Sequence, residues 1–123
     1  MVKDNQTAIT DTTSVYPNIH LHPESKIIDK MMAETNDQLS DYVLYTSLAP
    51  CLMCMGKIYW SGIKEVHYVL SRSDVDVSFS YEGTHTLEEI VSKLNRKIEF
   101  IQDKAHFEEA LDIYKKWQAA QPK

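Results

Sequence analysis

The thiol complement of this chain is two cysteines standing three apart, in Pro50-Cys51-Leu52-Met53-Cys54. A pair at this spacing either cycles through a disulfide or binds a soft or borderline metal, most commonly zinc. Two ligands do not complete a metal site, so other residues must. The histidines are His20, His22, His67, His85 and His106. His67 falls in the middle of a strand pattern and reads as packing. His85 and His106 lie near helix starts with no partner in sequence. His22 is different, because Pro23 follows it and Glu24 stands two residues on. A His22/Cys51/Cys54 set leaves the fourth position of a tetrahedral zinc to water, whose pKa the ion brings toward about 7. Glu24 is then placed to take a proton from that water and hand it to a leaving group. That is hydrolysis at an electrophilic carbon. The competing reading is a dithiol redox protein, with no zinc and a reducible Cys51–Cys54 bond. Glu24 also has a plainer reading, as an acid favoured at a helix N-terminus.

These residues need elements to hold them. Pro23 suits the first helical position, where its missing N–H costs nothing. Ile27, Ile28, Met31 and Met32 then recur at helical spacing, so a helix is predicted from about Pro23 to Glu34. Tyr42–Ser47 is apolar on both alternations, as a central strand covered on both faces should be. Cys51–Ser61 reads as a helix stopped by Gly62, which puts both cysteines on its first turn. The partial positive charge of a helix start favours thiolate there. Glu65–Ser71 supplies the next strand and closes a β-α-β unit. Upstream, β-branched residues predict a strand around Thr7–Val15. Downstream, Thr86-Leu87-Glu88-Glu89 has capping-box form and opens a helix to about Asn95. A short strand is predicted at Ile98–Ile101. Phe107, Ala110, Leu111, Tyr114 and Trp117 form the apolar stripe of a last helix. Alternating strands and helices predict a layered α/β architecture. The 123 residues show no repeat and no linker, so residues 1–123 read as one domain.

Composition narrows the partners. The formal charge is −5 and no Lys/Arg block is present, the densest basic stretch being Lys93-Leu94-Asn95-Arg96-Lys97. A grip on a phosphate backbone wants the opposite balance, so nucleic acid is not the expected partner. No apolar run approaches the roughly 20 residues of a membrane span. The polar start, Met1-Val2-Lys3-Asp4-Asn5, has no apolar signal core. Two cysteines at this spacing suggest metal or redox use and not a disulfide scaffold, so a reducing, cytoplasmic setting is expected.

His-x-Glu followed by Pro-Cys-x-x-Cys is the signature of zinc-dependent nucleobase deaminases. His22-Pro23-Glu24 and Pro50-Cys51-Leu52-Met53-Cys54 match it, about one helix and one strand apart. The chain therefore resembles the cytidine and deoxycytidylate deaminase superfamily over roughly residues 1–82. Leu44-Tyr45-Thr46-Ser47, Met53-Cys54-Met55-Gly56 and Ile58-Tyr59-Trp60-Ser61-Gly62-Ile63 look most like its guanine deaminase and nucleoside deaminase members. The resemblance implies a three-layer α/β/α fold: a mixed sheet with helices on its faces, the two motif helices against one of them. It implies Zn2+ held by His22, Cys51 and Cys54, with Glu24 as proton shuttle. Activated water would attack the amino-bearing ring carbon and ammonia would leave. The implied substrate is a free nucleobase or nucleoside, guanine first, then cytosine, cytidine or adenine. Ala49 and Pro50, beside the cysteines, and Phe79 and Tyr81, downstream, are the substrate contacts it implies. Members of this kind are commonly homodimers, and Tyr59 and Trp60 read as core or dimer contacts.

The family pattern usually starts with a helix and a strand ahead of the position of Met1. Met1-Val2-Lys3-Asp4 looks like the end of that strand, so the first family helix is expected to be missing, and either the exposed sheet is covered by self-association or the fold is marginal. The pattern also usually has glutamate where Ala49 stands, and often an asparagine before the histidine. On those departures, the alternative is a catalytically silent zinc protein serving as a binding module or partner subunit.

Overall fold

Parallel strands need a crossover between them, and the helix that carries both cysteines is one. The computed structural model describes residues 1–3, 6–7, 22–71, 74 and 87–119. Its strands are β1 (Val2–Lys3), β2 (Gln6–Thr7), β3 (Val43–Leu48), β4 (Glu65–Leu70) and β5 (Glu99–Gln102). They form one five-stranded sheet in the order β2-β1-β3-β4-β5. β1 runs antiparallel to β2 and β3, whereas β3, β4 and β5 are parallel, so the sheet is mixed. The helices are α1 (Pro23–Thr35), α2 (Leu52–Ser61), α3 (Leu87–Val91) and α4 (Phe107–Ala119). Of the strand predicted around Thr7–Val15, Thr7 ends β2; the rest lies outside the described residues, as do His20, Phe79, Tyr81 and His85.

Register decides which side chains meet the helices. Leu44 pairs with Val66 and Tyr45 with His67, so successive pairs face opposite sides of the sheet. The Leu44–Val66 side is the core. Ile27, Ile28 and Met31 of α1 and Ile58 of α2 bury against it, together with Met1, Leu39, Ile63 and Ile98. A smaller cluster on the same side joins Ala49 and Met55 to Tyr68 and Phe100 from the sheet and to Ile90, Val91 and Leu94. Both motif helices and α3 therefore lie on one face.

The opposite face of β3 is not covered as its apolar character predicts. Tyr45 is 53% exposed, whereas Leu44 is fully buried. Among the described residues, α4 packs chiefly along β4. Tyr45 finds its partner across the ladder, stacked on His67 at 4.7 Å between centroids. The His67 ring in turn lies 3.0 Å from a Glu65 carboxylate oxygen. In α4 the stripe is as predicted for Phe107, Ala110, Leu111 and Tyr114, all half-buried between exposed neighbours.

Helix ends are fixed by specific groups. α1 stops at Asn36, whose left-handed backbone (φ 51°) turns its N–H onto the Met32 carbonyl at 2.9 Å. α2 stops at Gly62 (φ 88°), where a Cβ would also come within 2.5 Å of Gln38 Oε1. Glycine is the one residue that takes this backbone without penalty. The α2 end is further held by Arg96. Its Nη1 donates to the Ile63 carbonyl at 2.7 Å, and its Nη2 to the carbonyls of Ile58 and Tyr59. The guanidinium lies 5.0 Å from the centre of the Tyr59 ring. A cation on the last carbonyls of a helix is favourably placed. The most basic stretch of the sequence thus spends its arginine on the fold.

α3 is shorter than predicted. It ends at Val91, and the N–H groups of Lys93 and Leu94 bond three residues back, to Ile90 and Val91, at 3.1 Å each. That tightened turn delivers Leu94 to the core and Arg96 to α2. Among the described residues, no helix is long and apolar enough to cross a membrane.

Candidate metal centre

The end of β3 sets the site. The Ala49 N–H donates to the Leu70 carbonyl at 2.7 Å, tying the strand end to β4. Pro50 is fully buried. Cys51 then takes the N-cap position of α2 with an extended backbone, and its sulfur accepts the N–H of Cys54 at 3.3 Å. Serine or aspartate oxygen usually fills that role; here a sulfur does. Cys54, one turn on, is completely buried.

α1 brings the other half. His22 is its N-cap residue, extended and without a side-chain cap, so its imidazole is available for other work. Pro23 occupies the first turn and Glu24 supplies an acid there. His22 Nδ1 lies 3.3 Å from Cys51 Sγ and 3.5 Å from Cys54 Sγ. All the ligand atoms of His22, Cys51 and Cys54 fall within 4.8 Å of one another.

This donor set fits zinc on two counts. Tetrahedral zinc with sulfur at about 2.3 Å and nitrogen at about 2.0–2.1 Å requires nitrogen–sulfur separations of about 3.6 Å, and the two observed distances are close to that. The second count is charge. The Cys54 thiol is pushed far above the ordinary thiol range, first by its hydrogen bond with the Cys51 sulfur. Burial comes next, then the neighbouring negative charge of Cys51 and Glu24. Two thiolates and a carboxylate so close repel one another, and a divalent cation among them removes that penalty. Sulfur with imidazole is a zinc-type ligand set.

Glu24 is 8% exposed, and its two oxygens have different neighbours. Oε1 accepts a hydrogen bond from the Thr46 hydroxyl of β3. Oε2 lies 3.7 Å from Cys54 Sγ. The structure therefore gathers His22, Glu24, Cys51 and Cys54, which the sequence singled out. Ala49 is nearby but packs into the smaller apolar cluster with Met55. Thr46 and Arg96 carry no motif. Thr46 reads in sequence as one more β-branched strand residue, and only the alternation that sends it to the helix-covered face hints at its role.

Known proteins resemble this chain in sequence and fold. Residues 1–70 match the family model described as the cytidine and deoxycytidylate deaminase zinc-binding region. A guanine deaminase of Bacillus subtilis (strain 168) is 46% identical over 50 residues, covering 37% of this chain and 32% of that protein. A probable cytosine deaminase of Schizosaccharomyces pombe is 31% identical over 77 residues, covering 61% of this chain and 47% of that protein. An X-ray structure of guanine deaminase from Bacillus subtilis superposes with a TM-score of 0.54 at 28% identity, covering 99% of this chain and 78% of that chain. The matched segments thus span less than half the length of the two curated relatives. The separated halves of the motif meet in space at zinc-ligand distances, and more than half of the 123 residues fit one family model. On that evidence the chain belongs to the cytidine and deoxycytidylate deaminase family and carries its zinc-binding region.

Proposed function

We propose that this protein hydrolytically deaminates a free nucleobase or nucleoside, with guanine as its leading substrate, and that it acts as a homodimer. The observation that carries the reading is the position of Glu24: a nearly buried carboxylate, one oxygen anchored to the sheet, the other beside the candidate metal donors. His22 Nδ1 and the sulfurs of Cys51 and Cys54 would hold zinc. When bound, that ion supplies a Lewis acid able to activate water at neutral pH. Glu24 receives a proton on Oε2 and releases it to the departing nitrogen. In the overall exchange a C–O bond forms at the ring carbon and its C–N bond breaks. One proton of the water ends on the ring nitrogen, the other on the amine that leaves as ammonia. Burial around Cys54 and Glu24 strengthens these charge interactions by excluding bulk water.

The choice of substrate rests on likeness. One relative is a guanine deaminase and the other a probable cytosine deaminase, so a free base is the common factor. A net charge of −5 argues against a polynucleotide substrate. Zinc-loaded protein is expected to release ammonia from guanine with a higher kcat/KM than from adenine, cytosine or their nucleosides. A coupled ammonia assay checks this; no release from any of them, at one zinc per chain, overturns the deaminase reading.

Self-association has a face to use. Leu52, Met53 and Trp60 stand exposed on α2, Trp60 at 79%, and Gly56 between them has nothing within 4 Å of its Cβ position. An apolar helical stripe of this kind marks an interaction surface more often than a solvated one. Sedimentation equilibrium is expected to give two chains per particle, and Trp60→Glu to shift the population toward one. A monomeric wild type would remove the dimer.

A further inference from the structure

The terminal torsion of a glutamate is soft, so a carboxylate swivels unless something holds it. In Glu24 one oxygen is held. Its partner, Thr46, sits inside β3 and pairs in register with Tyr68 of β4, so its backbone cannot drift. Its β-branched side chain has few rotamers, which fixes the hydroxyl oxygen in turn. That hydroxyl has one proton and two candidate acceptors, Glu24 Oε1 and the Leu48 carbonyl at 3.1 Å. A carboxylate is the stronger acceptor, so the proton goes to Glu24. With Oε1 tied to the sheet, Oε2 is the oxygen left facing Cys54.

We infer that Thr46 is the positioning residue of this site: it selects which oxygen of Glu24 is turned to the metal donors and available for proton transfer. The inference rests on the deaminase reading for its catalytic consequence, but the contact itself can be tested without activity. Thr46→Val keeps the shape and removes the hydroxyl. It leaves Oε1 buried without its side-chain donor, and the carboxylate turns to recover a partner.

Thr46→Val is expected to lower kcat about 10-fold or more, with KM within about 2-fold and zinc per chain unchanged. Thr46→Ser, which restores the hydroxyl, is expected to recover most of that loss. In a Glu24→Ala background Thr46→Val is expected to cost nothing further, because the group it positions is gone. A purely structural threonine would lower both backgrounds alike. The second readout is thermal unfolding of the wild type, Thr46→Val, Glu24→Ala and the double variant, all zinc-loaded. Coupled residues should give melting temperatures that depart from additivity by about 3 °C or more. An unchanged kcat in Thr46→Val, an equal loss in both backgrounds, or additive melting temperatures would each overturn the inference. Should the wild type deaminate nothing, the deaminase reading falls and the melting-temperature cycle alone decides whether Thr46 holds Glu24.

Discussion

Cys54→Ser is expected to leave the purified protein with less than about a tenth of a zinc per chain, where the wild type carries one. Loss of a group that merely supports a ligand already costs about 10–100-fold in metal affinity, so loss of a ligand should exceed the top of that range. Cys54 is the best residue for the test because it is fully buried and its sulfur lies near both His22 Nδ1 and Glu24 Oε2. Mass spectrometry of the metal content after dialysis measures the effect, and competition with a chelating dye gives the affinity. Full zinc in Cys54→Ser would refute the ligand set. Cys51 separates metal binding from folding. Its sulfur caps α2 as well as facing His22. Serine is a good helix cap, so Cys51→Ser should lose the metal while keeping the start of α2; Cys51→Ala should lose both. The difference in unfolding free energy between those two variants is the cap, about 1 kcal/mol by the usual cost of such a change.

Glu24→Gln is expected to retain zinc and to lose about 10²–10⁴-fold in kcat, the usual contribution of a positioned acid–base group. Glutamine has the same shape and can still accept from the Thr46 hydroxyl, so the side chain stays where it is. What disappears is the capacity to take a proton. The substitution should not lower stability. The negative charge of Glu24 is one of the causes that raise the Cys54 thiol, and glutamine relieves it. Ammonia release measured beside metal content makes the comparison. A Glu24→Gln protein with wild-type kcat at equal zinc would remove Glu24 from the chemistry, whatever else it does in the fold.

The contrast between Glu24 and Thr46 shows what was legible before the fold was known. His22, Cys51 and Cys54 stand out as metal-ligand types, and Glu24 by its spacing from His22, at positions that match the starts of helices. The structure places them at the starts of α1 and α2. The spans of α1 and α2 read well for the same local reason: Pro23 begins one and Gly62 ends the other, and these residues act on their own backbone. Thr46, Arg96 and Tyr45 act across the chain, and nothing in their sequence neighbours reports it. In sequence Arg96 is one cation of a basic stretch; the turn after α3 aims it at α2 carbonyls 37 and 38 residues away. Tyr45 looked buried because apolar strands usually are, and whether a helix covers it depends on where α4 lands. Ala49 is a similar case. A motif position facing a substrate and a position facing an apolar cluster look the same in sequence until the packing of α3 and Met55 is known.

Cys51 also bears on the order in which the protein is put together. The two thiols come together as soon as α2 makes its first turn, from one stretch of chain. The imidazole that joins them lies 29 residues upstream of Cys51. It arrives when α1 docks, and α1 docks through Ile27, Ile28 and Met31 onto a sheet face that β3 and β4 must already have built. Long-range parallel pairing is among the slower steps of folding. A nascent chain therefore presents a bare dithiol before it presents the complete set. A bare dithiol is a soft site, suited to monovalent copper, and imidazole shifts the balance toward zinc. The zinc-type ligand set of sulfur with imidazole is thus complete only once α1 has docked, which links metal binding to the seating of the first helix.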